Sequence, residues 1–113
     1  MQKTLDIGPM EDGSLKEVII DGHEIVLARI SGQFFAAENR CPHMGGKLHL
    51  GTLQGSVVTC PRHGSQFDIK DGSVVRWLKG SGIISALGKA IKPPRSIKTY
   101  PVKIDGNRIT IDI

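Results

Sequence analysis

Two Cys/His pairs, each in a short loop rich in glycine and proline, constrain this chain more than any other feature. They occur in CPHMGG at residues 41–46 and in CPRHGSQFD at residues 60–68. These segments hold both cysteines and two of the four histidines, spaced as Cys-x-His, sixteen residues, then Cys-x-x-His. A lone histidine is usually an ordinary surface or core residue, and His23 and His49 are interpreted in that way. Two matching pairs instead indicate a metal centre built from two loops.

The mixed composition of each pair favours an iron–sulfur cluster, with zinc as the alternative. Zinc fingers usually keep cysteine with cysteine and histidine with histidine, or use four cysteines. Here each loop supplies one thiolate and one imidazole, which suits a [2Fe–2S] cluster with two cysteines on one iron and two histidines on the other. The candidate ligands are Cys41, His43, Cys60 and His63. Because imidazoles are neutral, this ligand set raises the reduction potential to about −150 to +300 mV, against about −400 mV for plant-type ferredoxins.

The other residues of the two loops fit the same role, although plain turn formation also explains them. They are Gly45, Gly46 and Gly64, Pro42 and Pro61, and Leu48. The glycines let the backbone approach the sulfides and offer N–H donors. The prolines stiffen each loop behind its cysteine, and the leucine is predicted to pack beneath the first loop.

Short apolar runs between turn residues predict an all-β fold, and the chain has 14 glycines and six prolines. Strands are predicted at 16–20 and 24–30, joined at Asp21-Gly22, and a third strand at QFFAAE after Ser31-Gly32. Further strands are predicted in 55–59, in QFDIKDGSVV with a turn at Asp71-Gly72, and in KTYPVKIDGNRITIDI around Asp105-Gly106-Asn107. In the last segment the alternation of Val102, Ile104, Ile109, Ile111 and Ile113 predicts a half-buried hairpin.

One segment, GSGIISALGKAIKPP at residues 80–94, departs from this pattern. Its apolar residues Ile83, Leu87 and Ile91 fall on one helical face, and Pro93 ends the run. We expect one short helix near 82–91, or an ordered loop, packed on the β core. A contact with a membrane surface or within an oligomer is the alternative.

The charge distribution and the composition limit the partners and the location expected for this protein. The net charge is +4, with seven acids against three bases in residues 1–38, and seven bases and no acid in residues 72–104. A solvated surface explains this distribution, and a docking face for an acidic partner is the alternative. Nucleic acid is disfavoured because the bases are scattered and no stacking aromatics accompany them. With neither a signal-peptide core nor a run of about 20 apolar residues, we expect a cytoplasmic protein that does not bind membranes.

At the two loops the sequence resembles the Rieske family. CPHMGGKL and CPRHGSQFD match its C-x-H-x-G-x-x-L and C-P-x-H-G-x-x-[FY]-[DN] motifs, and the resemblance extends over roughly residues 1–76 and 99–113. It implies a single domain, 1–113, with the Rieske iron–sulfur fold, an antiparallel β sandwich. A cluster-binding subdomain of about 40–69 would be inserted in a base domain of 1–39 and 70–113. The resemblance places Cys41 and Cys60 on the inner iron, and His43 and His63 on the outer, solvent-facing iron.

Four positions in the loops bear on the branch of the family. Gly46 and Arg62 stand where the Rieske proteins of cytochrome bc complexes carry a disulfide between the loops. The chain therefore looks like the soluble ferredoxins of ring-hydroxylating dioxygenase systems. Ser65 matches a residue whose hydroxyl binds a bridging sulfide, whereas Phe67 replaces a tyrosine that binds a cysteine sulfur. Because hydrogen bonds to sulfur favour the reduced cluster, we expect a potential in the lower part of the Rieske range.

The resemblance implies a one-electron carrier, not an enzyme, since the chain is too short to include the catalytic domain of an oxygenase. It would pass electrons from a reductase containing flavin or an iron–sulfur cluster to a terminal oxygenase, through transient contacts. A docking rim is predicted at Arg40, Met44, Lys47 and Arg62. The alternatives are the small subunit of a nitrite reductase-like complex and a redox-sensing module.

Overall fold

The computed structural model describes residues 2–42, 46–62, 64–76 and 96–113, and in these ranges it contains eleven strands in three antiparallel sheets. One sheet contains β1 (Gln2–Asp6), β11 (Arg108–Asp112) and β10 (Val102–Asp105), in that order. A second contains β2 (Leu15–Ile20), β3 (His23–Ile30), β4 (Gln33–Glu38) and β9 (Thr99–Tyr100). The third contains β5 (Thr52–Gln54), β6 (Val57–Thr59), β7 (Gln66–Asp68) and β8 (Val74–Arg76). The prediction of an all-β antiparallel fold is confirmed, whereas the helix expected near 82–91 lies outside the described residues.

Two tight turns build the meander β2–β3–β4. Asp21 and Gly22 have φ of 48° and 82°, and Ser31 and Gly32 have φ of 50° and 78°. Positive φ at both central residues gives a two-residue turn whose twist matches that of the flanking strands. The turns set the register, with Ile20 opposite His23 and Ile30 opposite Gln33. Both hairpins predicted from the sequence are confirmed.

Strand β3 is buried on both faces and places its sheet between the other two. Its residues 25–28, the run Ile-Val-Leu-Ala, are wholly inaccessible to solvent. Val26 and Ala28 pack into one apolar cluster, with Val58 of β6 and Phe67 of β7. The other face packs into a second cluster, whose members include Ile25, Leu27, Ile109 and Ile111. Each fully buried Ile, Val or Leu side chain stabilises the folded state by about 1.5–3 kcal/mol. Strand β3 therefore contributes strongly to both apolar clusters.

The sheet of β1, β11 and β10 joins the two ends of the described chain. β1, which the sequence reading did not predict, pairs with β11 from Gln2 opposite Asp112 to Asp6 opposite Arg108. The predicted alternation in the last hairpin holds for Ile109 and Ile111, which are wholly buried. Ile104 lies opposite Ile109 but is 50% exposed. It was predicted on the half-buried face, and it is exposed because β10 is the edge strand of its sheet.

Candidate metal centre

The two cysteine loops close in the same way. The backbone N–H of Cys41 donates to the carbonyl of Gly46, and that of Cys60 donates to the carbonyl of Ser65, both at 2.8 Å. Arg40 pairs with Lys47 across the base of the first loop, as Thr59 of β6 pairs with Gln66 of β7 across the base of the second. Each loop therefore has six residues and begins with its cysteine. His43, Met44, Gly45 and His63 lie outside the described residues.

Gly46 of the first loop lies against Cys60 of the second. A Cβ at Gly46 would be 2.9 Å from the Sγ of Cys60 and 3.1 Å from the Cγ of Arg62. Both cysteines lie in the described part of the chain as thiols rather than as a disulfide, and each is only 2% exposed. The fold thus brings the two predicted cysteine ligands into one buried region.

Apolar residues close this region from below. Cys41 and Cys60 belong to the same buried cluster as Leu48 and Phe67, both of which are inaccessible to solvent. Leu48 begins a short 3₁₀ turn, Leu48–Leu50, directly after the first loop. Its packing with Cys41 is the one predicted from the sequence. Ser65 is also wholly buried, so its polar side chain lies within the protein interior beside the second loop.

Asn39, next to the first loop, is a wholly buried polar residue that the sequence reading did not identify. Its amide nitrogen Nδ2 is 2.9 Å from Oε2 of Glu17 and 2.8 Å from Nδ1 of His49, and its Oδ1 accepts the backbone N–H of His49 at 2.8 Å. Because Nδ2 can only donate, this hydrogen bond requires Nδ1 of His49 as its acceptor. The carbonyl of Asn39 also accepts the N–H of Leu48 at 3.2 Å. Asn39 thus fixes the chain on both sides of the first loop.

Two predicted docking cations are paired with carboxylates. Lys47 Nζ lies 2.7 Å from Oε2 of Glu17 and 3.5 Å from Oε1 of Glu24. Arg40 binds both oxygens of Glu24, at 2.5 and 3.0 Å. The hydrogen bond from Lys47 lowers the pKa of Glu17, and that from Arg40 lowers the pKa of Glu24. This part of the predicted rim is therefore charge-balanced, whereas Arg62 is exposed; the docking role itself remains a prediction.

Arg76 of β8 holds the second loop from outside. Its Nε and Nη2 both donate to the carbonyl of Gly64, at 3.1 and 2.9 Å. Gly64 has φ of 75°, in the left-handed region that favours glycine, and donates its own N–H to the carbonyl of Cys60 at 3.1 Å. This contact has no signal in the sequence, because Arg76 follows the motif at a distance set by the β7–β8 hairpin.

The described residues fit an iron–sulfur cluster. Thiolates are the ligands that such clusters prefer, and the two available thiols lie in one water-poor region. The absence of a side chain at Gly46 leaves room beside the Cys60 sulfur that a Cβ would fill. A small residue is expected where backbone must approach a cluster.

Residues 2–101 match the model of the Rieske [2Fe-2S] domain. The chain belongs to the Rieske family. It is 32% identical over 104 residues to the ferredoxin component of the naphthalene 1,2-dioxygenase system of Pseudomonas aeruginosa, covering 90% of this chain and 85% of that protein. It is 30% identical to the ferredoxin component of the naphthalene 1,2-dioxygenase/salicylate 5-hydroxylase systems of a Ralstonia species, covering 97% of this chain and 95% of that one. Among solved structures, the ferredoxin of Sphingomonas yanoikuyae B1 is 28% identical, with a TM-score of 0.70 over 91% of this chain and 88% of that one.

The predicted cofactor and activity class are confirmed by these relationships. This Rieske protein carries a [2Fe–2S] cluster, and it is an electron-carrying ferredoxin rather than an enzyme. Within the described ranges, none of the helical structure has the length and apolar character that crossing a bilayer requires.

Proposed function

We propose that the cluster is held by Cys41 and Cys60 on one iron and by His43 and His63 on the other. The observation that supports this assignment is the matched closure of the two loops, each from the cysteine N–H to the carbonyl five residues later. The contact of Gly46 with the Cys60 sulfur supports it further, since it brings the two loops together at their cysteines. Residues of about 40–69 form the cluster-binding part of the chain in this proposal, inserted in a base formed by the rest.

The cluster, when bound, supplies a centre that accepts and releases one electron. The chain excludes water from its cysteine side with Leu48 and Phe67, both wholly buried. In this proposal Gly45, Gly46 and Gly64 would let the backbone of the loops approach the sulfides, and Pro61 would limit the motion of the second loop. Ser65, buried beside that loop, would donate a hydrogen bond from its hydroxyl to a sulfide of the cluster.

The partners are a reductase containing flavin or an iron–sulfur cluster and the terminal oxygenase of a ring-hydroxylating dioxygenase system, in the cytoplasm. The relative from Pseudomonas aeruginosa is named as the ferredoxin component of a naphthalene 1,2-dioxygenase system, and this chain would occupy the equivalent place. Contacts with both partners are transient, because turnover requires fast release. Docking involves the exposed Arg62, together with Met44 and the ion-paired Arg40 and Lys47.

The ligand assignment is tested by iron and sulfide analysis and by the EPR spectrum of the reduced protein. Cys41→Ser and Cys60→Ser should lose the cluster, and His43→Ala and His63→Ala should lose the EPR signature of mixed Cys/His ligation. His23→Ala is the matched control and should keep the wild-type spectrum. An unchanged spectrum in either variant of the proposed histidine ligands would contradict the assignment.

The partner assignment is tested by reconstituted electron transfer. The reductase and terminal oxygenase of the Pseudomonas aeruginosa naphthalene system are mixed with this ferredoxin, and reduction of the oxygenase is followed by stopped-flow absorbance. Arg62→Glu should slow transfer at low salt, because charge complementarity mainly sets the association rate. The control is Arg108→Glu, because Arg108 lies in β11, in the sheet separated from that of the second loop by the central sheet. Failure of the wild-type protein to reduce the oxygenase at any salt concentration would rule out this kind of partner.

A further inference from the structure

Arg76 contacts the proposed redox centre from a strand outside both ligand loops. Its two N–H groups converge on a single acceptor, the carbonyl oxygen of Gly64. That carbonyl lies between His63, a proposed ligand, and the buried Ser65. A planar guanidinium is suited to such a contact, because its N–H donors have a fixed geometry.

The contact fixes the orientation of one peptide group in the second loop. The peptide between Gly64 and Ser65 is trans, so its C=O and N–H point in opposite directions. Holding the carbonyl towards Arg76 therefore aims the Ser65 N–H to the other side of the peptide. Hydrogen bonds to the carbonyl also polarise the peptide and strengthen its N–H as a donor.

The charge of Arg76 is placed to act on the same site. Arg76, Gly64 and Cys60 line one surface pocket, together with Thr52, Thr59, Pro61 and Arg62. Arg40 and Lys47 are each paired with a carboxylate. Among the residues that the structure describes, Arg76 instead donates to a neutral carbonyl and has no carboxylate within ion-pair distance. Its positive charge therefore remains uncompensated beside the second loop.

We propose that Arg76 is a positioning residue of the redox centre that raises the reduction potential, by orienting the Gly64–Ser65 peptide and by its uncompensated charge. Reduction adds one negative charge to the cluster, and a nearby fixed cation favours that state. The inference rests on the ligand assignment proposed above. It adds a residue that no Cys/His motif includes.

The test is a redox titration of the intact holoprotein at low salt. In Arg76→Gln the equilibrium constant for reduction should fall about tenfold at an effective dielectric constant of about 20, which for one electron is about 59 mV. Arg76→Lys keeps the charge and should stay within about threefold of the wild type. Arg108→Gln removes an exposed cation that is paired with Asp6 in the sheet of β1, β11 and β10, and it should leave the potential unchanged. The EPR spectrum of each variant verifies that the cluster and its ligands are intact.

A second pair of variants leaves Arg76 in place. Thr52 is exposed on the rim of the same pocket, so Thr52→Glu brings a carboxylate towards the guanidinium, and Thr52→Gln is its neutral control. The reduction constant of Thr52→Glu should lie several-fold below that of Thr52→Gln, and the difference should shrink as salt is raised.

Any one of three comparisons of potentials would overturn the proposal: a shift in Arg76→Gln no larger than in Arg108→Gln, a shift in Arg76→Lys as large as in Arg76→Gln, or identical potentials for the two Thr52 variants. Faster cluster loss without any shift in potential would also overturn it, because Arg76 would then be only structural. These failures are distinct from failure of the ligand assignment, which is decided by the EPR spectra of the cysteine and histidine variants described above.

Discussion

Replacing Gly46 with alanine adds one methyl group at the contact between the two ligand loops. Gly46 lies outside the left-handed region of φ, so alanine can adopt the same backbone conformation. At such a position the substitution usually stabilises a protein by about 0.4–1 kcal/mol, by restricting the unfolded chain. The new Cβ, however, would lie 2.9 Å from the Sγ of Cys60 and 3.1 and 3.2 Å from Cγ and Cδ of Arg62.

The three contacts are not equally able to relax. Non-bonded heavy atoms prefer separations of about 3.5–4.0 Å, so the methyl group has to gain roughly 0.6 Å or more from the sulfur. The exposed Arg62 side chain can move away, whereas the Cys60 sulfur is buried and is a proposed iron ligand. Overpacking of this kind costs about 1–3 kcal/mol. Gly46→Ala should therefore lower the free energy of unfolding by about 1–2 kcal/mol, and the strain should distort the geometry around Cys60.

Thermal unfolding and EPR of the reduced cluster measure the two consequences separately. Gly46→Ala should melt several degrees below the wild type, and its EPR g values should shift. Gly106→Ala is the control: its φ is 62° and its Cβ would meet nothing within 4 Å, so it should lose about 1–2 kcal/mol through backbone strain alone. Its EPR spectrum should be that of the wild type. A wild-type spectrum and an unchanged rate of cluster loss in Gly46→Ala would refute the reasoning.

Three further substitutions test contacts around the site. The hydrogen bond from Lys47 lowers the folded-state pKa of Glu17 below its ordinary 4.5. Ionised Glu17 therefore stabilises the fold above pH 4.5, and this stabilisation is lost as the pH falls through the lowered pKa. The melting temperature of Glu17→Gln should lie below that of the wild type at pH 7, and the difference should disappear in acid. Asn39→Ala removes the acceptor of the partly buried backbone N–H of His49 and should lower the free energy of unfolding by about 1–3 kcal/mol in urea titrations. Gly72→Ala puts a Cβ 2.0 Å from the carbonyl oxygen of Ile97 at a φ of 80° and should cost at least about 2 kcal/mol in the same assay.

Each of these has an outcome that would contradict it. The control for Glu17→Gln is Glu11→Gln, which removes the same charge from an exposed position. If the melting temperatures of both variants depended on pH equally, the Lys47 hydrogen bond would not be the cause of the effect at Glu17. If Asn39→Ala were as stable as the wild type, water would have replaced the side-chain Oδ1 as the acceptor of the His49 N–H. Wild-type stability of Gly72→Ala would mean that the chain around Ile97 moves away at little cost.

The features predicted correctly from the sequence depend on neighbouring residues. The turns at Asp21-Gly22 and Ser31-Gly32 need positive φ and carry residues that tolerate it. The apolar runs on either side of Asp21-Gly22 indicate strands, although not which sheets cover them. The two Cys/His motifs that indicated the Rieske family are local as well, since each lies within one short loop.

The features that were missed depend on residues distant in sequence. β1 has few apolar residues, and its partner β11 lies at the opposite end of the described chain, so no turn signal marks the pairing. Asn39 and Arg76 have no distinctive sequence context, and their roles arise only when the fold places them against Glu17 and Gly64. The docking rim was predicted from the place of its residues beside the ligand motifs, without Glu17 and Glu24, which reach it from β2 and β3.

The pairing of β1 with β11 has a consequence for the order in which the protein folds. The meander β2–β3–β4 forms between neighbours in sequence, whereas joining Gln2 to Asp112 closes a loop of nearly the whole chain. Because closing a long loop costs entropy, β1 should pair with β11 late in folding. The same pairing can open locally without global unfolding. Amide protons of β1 should therefore exchange with solvent well before those of β3. β1 would then detach and pair again while the central layer keeps the two cysteine loops in place.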